Sequence, residues 1–132
     1  MGTRILIADD DPDLRQLFRL ILGRDGYEVI EAANGEEAVA RAIDSDLSLI
    51  LLDVMMPGPD GFDTCRRLKS DSRTDSVPVI FVSAKNDVRS RTEGMQVGAV
   101  DYINKPISPR DLIQRVRVVM QQRGMPSPTL PY

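Results

Sequence analysis

Residues 4–12, Arg4-Ile5-Leu6-Ile7-Ala8-Asp9-Asp10-Asp11-Pro12, hold a short apolar run, an abrupt acidic stop and a helix start. An unbroken apolar run of this length reads as a strand buried on both faces, as in parallel sheets. Asp11 followed by Pro12 is an N-cap with proline at the first helical position. Leu14, Leu17, Phe18, Ile21 and Leu22 then recur at helical spacing and form one apolar stripe. The unit is strand, acidic tip, helix.

The same unit returns along the chain. Gly23 and Gly26 close the first helix, Tyr27 to Ala32 reads as a second strand, and Asn34-Gly35 reads as a turn. Glu36 to Asp44 is a helix whose inner face is Ala38, Val39, Ala42 and Ile43. Leu47 to Leu52 is the most apolar strand, hence the expected centre of the sheet, and it stops at Asp53. Met56-Pro57-Gly58-Pro59-Asp60-Gly61, with two prolines and two glycines, is a loop. Phe62, Cys65 and Leu68 mark the third helix, with Cys65 a core residue and Arg66, Arg67 and Lys69 a solvated face. Met55 and Met56 read as local packing.

Val77 to Val82 forms the fourth strand, closed by Ser83. A weakly amphipathic helix follows from about Asp87 to Val97, carrying Arg89, Arg91 and Glu93 but few large apolar residues. Val100 to Ile103 is the fifth strand, followed by Asn104-Lys105-Pro106. Ser108-Pro109 repeats the cap-and-proline device before the apolar stripe Leu112, Val116, Val119 and Met120.

Five strand–helix units imply an α/β fold, (βα)5, with a doubly wound parallel sheet covered on both faces by right-handed crossovers. The expected strand order is 2-1-3-4-5, the flavodoxin-like three-layer sandwich, which is borrowed from known folds of this class because periodicity alone allows other arrangements. At 132 residues the chain is one domain that buries roughly two-thirds of its unfolded surface. Residues 1–123 form the domain; residues 124–132, with three prolines, read as a flexible tail or linker.

Composition narrows the chemistry. A net charge of −3 argues against a broad nucleic-acid-binding surface. The single cysteine excludes an internal disulfide and fits a reducing compartment. No apolar run reaches the roughly 20 residues of a membrane span, and Met1 to Arg4 carry no signal-peptide pattern, so a cytoplasmic protein is expected. The chain has no histidine, which removes Ser-His-Asp and Cys-His catalysis and imidazole metal ligation.

On this fold Asp9, Asp10 and Asp53 converge, because ligand sites in open α/β sheets lie beyond the carboxyl ends of the strands. Three nearby carboxylates raise one another's pKa, and an oxygen-seeking divalent cation relieves the repulsion. Mg²⁺ suits such a site because it needs few protein ligands and keeps waters and a phosphate oxygen. Asp53 can then act as a nucleophile toward phosphorus, with positive charge and donors required around the phosphoryl oxygens. Lys105 supplies an ammonium, Ser83 a hydroxyl, and backbone N–H groups near Met55 add donors.

At these residues the sequence resembles the receiver domain of two-component response regulators, from about Thr3 to Gln122. The resemblance lies in Ile5 to Asp11, Leu51 to Gly58, Asp60-Gly61, Val82-Ser83-Ala84 and Gly98 to Pro106. It implies that Asp53 is the phosphoacceptor, that Asp10 is a direct metal ligand with Asp9 acting largely through water, and that the Met55 carbonyl is the third protein ligand. It implies that Ser83 moves toward the phosphoryl group, that the Tyr102 rotamer follows, that Lys105 pairs with the phosphoryl group, and that the Lys105-Pro106 peptide is cis. In the family that the sequence resembles, the positions of Met55 and Lys85 tune water access to the phosphoryl group.

The implied partners are a histidine kinase or histidine phosphotransfer protein and a downstream effector protein or output domain, with no membrane or direct nucleic-acid contact. The implied assembly is a monomer or a phosphorylation-dependent dimer. The chain is then a signalling switch that catalyses its own Mg²⁺-dependent phosphorylation and dephosphorylation, and not an enzyme of metabolism. Its fourth helix, fifth strand and fifth helix form the remodelled face. Two rivals remain: a receiver-like interaction module used without phosphorylation, and a haloacid-dehalogenase-like phosphatase. The phosphatase would need a second acid two residues after Asp53, where Met55 stands.

Overall fold

A computed structural model describes residues 3–124. The expected tail lies outside these residues save for Gly124. Five strands form one parallel sheet in the order β2-β1-β3-β4-β5. The strands are β1 (Arg4–Ala8), β2 (Glu28–Ala32), β3 (Leu49–Leu52), β4 (Val79–Ser83) and β5 (Asp101–Asn104). They alternate with α1 (Pro12–Arg24), α2 (Gly35–Asp44), α3 (Gly61–Lys69), α4 (Val88–Gln96) and α5 (Pro109–Gln122). The expected order is the observed one, with β3 central.

Period-two alternation divides the core between the two faces of the sheet. Ile5, Ile7, Leu49, Leu51, Ile80, Val82 and Ile103 pack with Phe18, Leu22, Leu112 and Val116 of α1 and α5. Leu6, Ala8, Ile50, Leu52, Phe81 and Tyr102 pack with Ala38, Ala42, Phe62, Cys65 and Leu68 of α2 and α3. Strands sandwiched in this way are apolar at every position, which is why β3 and β4 are buried throughout. Removing a leucine or isoleucine side chain from such a position typically costs about 2–5 kcal/mol.

Caps set the helix starts. Asp11 accepts from the N–H groups of Asp13 and Leu14, Asp60 from Asp63, Asp87 from Ser90, and Ser108 from Asp111. Asn34 is a helix cap and not half of a free turn: its side chain accepts from the Glu37 N–H, and α2 begins at Gly35. Gly23 stays inside α1, which runs on to Arg24; the left-handed residue is Gly26, at φ 94°.

Three sequence expectations give way to packing. Leu17, placed on the apolar stripe of α1, is exposed. Lys69 is not simply solvated, for its ammonium donates to the carbonyls of Asp75 (3.1 Å) and Val77 (2.7 Å) and ties α3 to the approach to β4. Met55 does not pack: its side chain is exposed, whereas Met56 is buried. The amphipathic weakness of α4 is real, since Ser90 and Gly94 are its buried residues.

Candidate functional site

The sheet register brings the strand ends together. Ala8 pairs with Leu52, so Asp9 and Asp53 emerge side by side, and the Asp53 N–H donates to the Ala8 carbonyl at 3.0 Å. Asp9 is anchored on its other side by its own N–H donating to Ala32 of β2. Ser83 pairs with Asn104, and the Lys105 N–H donates to the Ser83 carbonyl at 2.9 Å. Lys105-Pro106 is a cis peptide.

Asp9, Asp10 and Asp53 each place a carboxylate oxygen within 4.8 Å of the others. Asp9 and Asp53 are buried, at 2% and 6% exposure, while Asp10 faces solvent. The half-buried Lys105 ammonium lies 2.7 Å from Asp9 Oδ2 and 3.1 Å from Asp53 Oδ2. The second oxygen of each acid accepts a backbone N–H two residues on: Asp11 to Asp9 at 2.9 Å, Met55 to Asp53 at 3.3 Å. An exposed acid beside two buried ones, all offering oxygen, is a donor set that fits a hard divalent cation.

Burial pushes the Asp53 carboxyl above the ordinary carboxylate range; the Asp9 charge adds to this, and the Lys105 ammonium and Met55 N–H pull it partly back. Desolvation by itself would lower Lys105, but its hydrogen bond to Asp9 and the charges of Asp53 and Asp9 hold it above its usual value. Lys105 is thus a firmly charged ammonium in an acidic, half-dry setting.

Ser83 is fully buried, and its Oγ accepts from the Lys85 N–H at 3.1 Å. Tyr102 is also buried, with its ring turned toward Phe81 and its hydroxyl donating to the Lys85 carbonyl. The Arg91 guanidinium lies over that ring, 5.3 Å from its centre, and donates to Asn104 at 2.8 Å. The structure therefore gathers Asp9, Asp10, Asp53 and Lys105 at one point, with Ser83 and Tyr102 on the neighbouring strands. Met55 contributes a backbone N–H, while its side chain points to solvent.

Arg15 was not legible as a site residue. Its Nη1 donates to the Asp9 carbonyl at 2.7 Å and its Nε to Glu31 at 3.0 Å, and Arg19 holds the other Glu31 oxygen at 2.8 Å. The Arg19 hydrogen bond is the main cause holding Glu31 below its usual pKa, against desolvation and with help from Arg15. An arginine one turn inside a helix that follows an acidic tip is the available signal, but its partner Glu31 lies on another strand. Gly61 is the second omission as a contact: a Cβ there would lie 2.1 Å from the Asp53 carbonyl oxygen, so α3 can approach only as glycine.

A parallel (βα)5 sheet in the order 2-1-3-4-5, with an acidic pocket and a lysine beyond the carboxyl ends of its strands, defines a doubly wound, flavodoxin-like class of domain. The model of the response regulator receiver domain matches residues 5–117. This chain belongs to that family and is a receiver domain of two-component systems.

The chain is 42% identical over 124 residues to the phosphate regulon transcriptional regulatory protein PhoB of Pseudomonas aeruginosa, covering 94% of this chain and 54% of that protein. It is 40% identical over 125 residues to the transcriptional regulatory protein ResD of Bacillus subtilis, covering 95% and 51%. It thus spans about half the length of the curated relatives it matches. Among solved structures, the chemotaxis protein CheY4 of Vibrio cholerae superposes with a TM-score of 0.86 at 30% identity, covering 90% of this chain and 99% of that one. These relatives are signalling regulators. Among the described residues no helix is long and apolar enough to cross a membrane.

Proposed function

We propose that Asp53 is the phosphoacceptor of a two-component pathway and that residues 1–123 work as one switch. A carboxylate oxygen of Asp53 attacks the phosphorus of a phosphohistidine on a histidine kinase or phosphotransfer protein. The P–O bond to Asp53 forms as the P–N bond breaks, and the leaving imidazole nitrogen takes a proton from solvent. The single observation that carries this reading is the buried Asp53 carboxylate held 3.1 Å from Lys105 beside Asp9 and Asp10.

Asp10, Asp9, Asp53 and the Met55 carbonyl would hold Mg²⁺, which when bound supplies positive charge to the phosphoryl oxygens. Lys105 pairs with the transferred group, and its raised pKa keeps it charged through the working range. Ser83 follows the phosphoryl group, Tyr102 fills the space behind it, and the α4–β5–α5 face is remodelled as a population shift. The thin anchoring of α4, through Ser90 and Gly94, supports that assignment. The switched face acts on a downstream effector protein or output domain in the cytoplasm, as a monomer or a phosphorylation-dependent dimer. The names of the related regulators make transcription the output class we favour.

The test is intact mass after incubation with Mg²⁺ and acetyl phosphate, for wild type and Asp53→Asn. One alkali-labile phosphoryl group on the wild type, absent from the variant, is the expected result. No adduct together with no Mg²⁺-dependent binding of beryllofluoride would overturn it in favour of an interaction module used without phosphorylation.

A further inference from the structure

Helix α4 carries a glycine where helix propensity disfavours one. Gly94 lies inside the helix, buried, on the side turned to the sheet. Its φ is not in the left-handed region, so backbone freedom does not explain it. An interior glycine weakens a helix relative to alanine. The gain lies in space.

A Cβ at this position would stand 2.9 Å from Tyr102 Cδ2, 3.3 Å from Tyr102 Cε2 and 3.1 Å from Phe81 Cδ2. These contacts are tighter than van der Waals packing allows, so a neighbour must give way. Phe81 cannot move easily: it is fully buried on β4, with Phe62 edge-on at 5.4 Å and Tyr102 at 5.8 Å. Tyr102 can move. Its ring packs against Phe81 and beneath the Arg91 guanidinium, and its hydroxyl reaches the Lys85 carbonyl in the loop before α4 and the Ser83 side chain. A methyl group at position 94 therefore presses first on the Tyr102 ring, its nearest neighbour.

We propose that Gly94 is a positioning residue that admits Tyr102 to its inward, buried rotamer and so sets how readily the switch reaches its phosphorylated form. The inference rests on the reading of Tyr102 as the switch aromatic. The inward ring needs a bare stretch of α4 beneath it, and Gly94 provides that stretch. A side chain there shifts the population toward an outward ring, and binding that requires the inward ring weakens by the same factor.

The test labels the three tyrosines with 3-fluorotyrosine and compares wild type with Gly94→Ala by fluorine NMR and by beryllofluoride titration with Mg²⁺. The expected result is a Tyr102 resonance displaced toward its solvent-exposed position and an affinity lowered about tenfold. Thermal stability is expected to fall modestly, because overpacking against Tyr102 and Phe81 outweighs the gain in helix propensity; the joint change in Tyr102 resonance and beryllofluoride affinity separates positioning from mere packing damage. In a Tyr102→Ala background the Gly94→Ala change should leave affinity where Tyr102→Ala alone has set it, as expected when the two residues act through one contact.

Wild-type affinity and an unmoved Tyr102 resonance in Gly94→Ala would overturn the proposal. If Gly94→Ala fails to fold, the double variant decides: folding restored supports the Tyr102 contact, and folding still lost assigns the clash to Phe81 and overturns it. A wild type that binds no beryllofluoride would sink the phosphoacceptor reading, yet the Tyr102 resonance in metal-free protein would still judge Gly94.

Discussion

Lys105 and Asp9 stand 96 residues apart in the chain and are joined by a 2.7 Å ion pair, shorter than the 3.1 Å pair from Lys105 to Asp53. The ammonium sits between two buried carboxylates and offsets their repulsion. A divalent cation bound as proposed would neutralise the same acids, and Lys105 would then loosen from Asp9.

Lys105→Met leaves two buried carboxylates without a cationic partner, each keeping only a backbone N–H. In chelator, urea unfolding should show a loss of about 2–4 kcal/mol, somewhat below the roughly 3–5 kcal/mol for a fully buried pair because Lys105 is only half-buried. Millimolar Mg²⁺ should restore most of that loss, because binding to the native state alone stabilises it. A variant as stable as wild type in chelator would show that the pair is energetically neutral.

The raised pKa of Asp53 gives its stability contribution a definite sign. Below the ordinary carboxylate pKa both folded and unfolded chains hold the proton, and Asp53 costs nothing. As pH rises from there to the higher folded value, the unfolded chain loses its proton first, so stability falls; above that value the cost stays constant. Asp53→Asn in chelator should thus raise the Tm at neutral pH, with the gain vanishing toward about pH 3. Thermal unfolding across pH checks it, and a Tm gain independent of pH would contradict the assignment.

Gly61→Ala places a methyl group 2.1 Å from the Asp53 carbonyl oxygen and 2.7 Å from Val54 Cα. Both are backbone atoms, and the Gly61 N–H is bonded to the Val54 carbonyl at 2.7 Å, so α3 must lift. A loss of about 2 kcal/mol or more is expected by urea unfolding, with slower labelling by acetyl phosphate. Gly23→Ala is the matched control. A Cβ there meets nothing within 4 Å, and about 1 kcal/mol of added stability is expected from helix propensity.

Arg15→Ala removes the clamp between the Asp9 carbonyl and Glu31. The expected cost is about 1–2 kcal/mol, chiefly for the Asp9 carbonyl since Arg19 still holds Glu31, accompanied by a severalfold fall in Mg²⁺ affinity by calorimetric titration as the acidic tip loosens. Arg15→Lys should not rescue it, since an ammonium cannot bridge a carbonyl and a carboxylate with the guanidinium's planar fork. Unchanged Mg²⁺ affinity in Arg15→Ala would show that β1 alone positions Asp9.

Much of the molecule is legible in local pattern. Five apolar runs, and caps such as Asp11 and Ser108, are written within a few residues of each other, because helix periodicity and capping act over one turn. That Asp9, Asp10, Asp53 and Lys105 share a pocket follows once a parallel sheet is granted. Asn34 is ambiguous in sequence because an Asn-Gly pair serves a turn and a helix start equally well, and the Glu37 N–H it caps decides between them. Lys69 and Met55 depart from their local pattern because exposure depends on what lies across the fold.

The sequence by itself determined the strand–helix alternation, the acids and lysine at strand ends, and, through the missing histidine, the chemistries unavailable to the chain. Only the tertiary structure decided that Lys105 lies closer to Asp9 than to Asp53, that Arg15 braces the acidic tip against Glu31, and that Gly94 is cut to the shape of Tyr102. The reason is physical. Secondary structure is settled by neighbours in sequence, whereas pairings across 96 residues depend on sheet register and on how closely helices can approach the sheet.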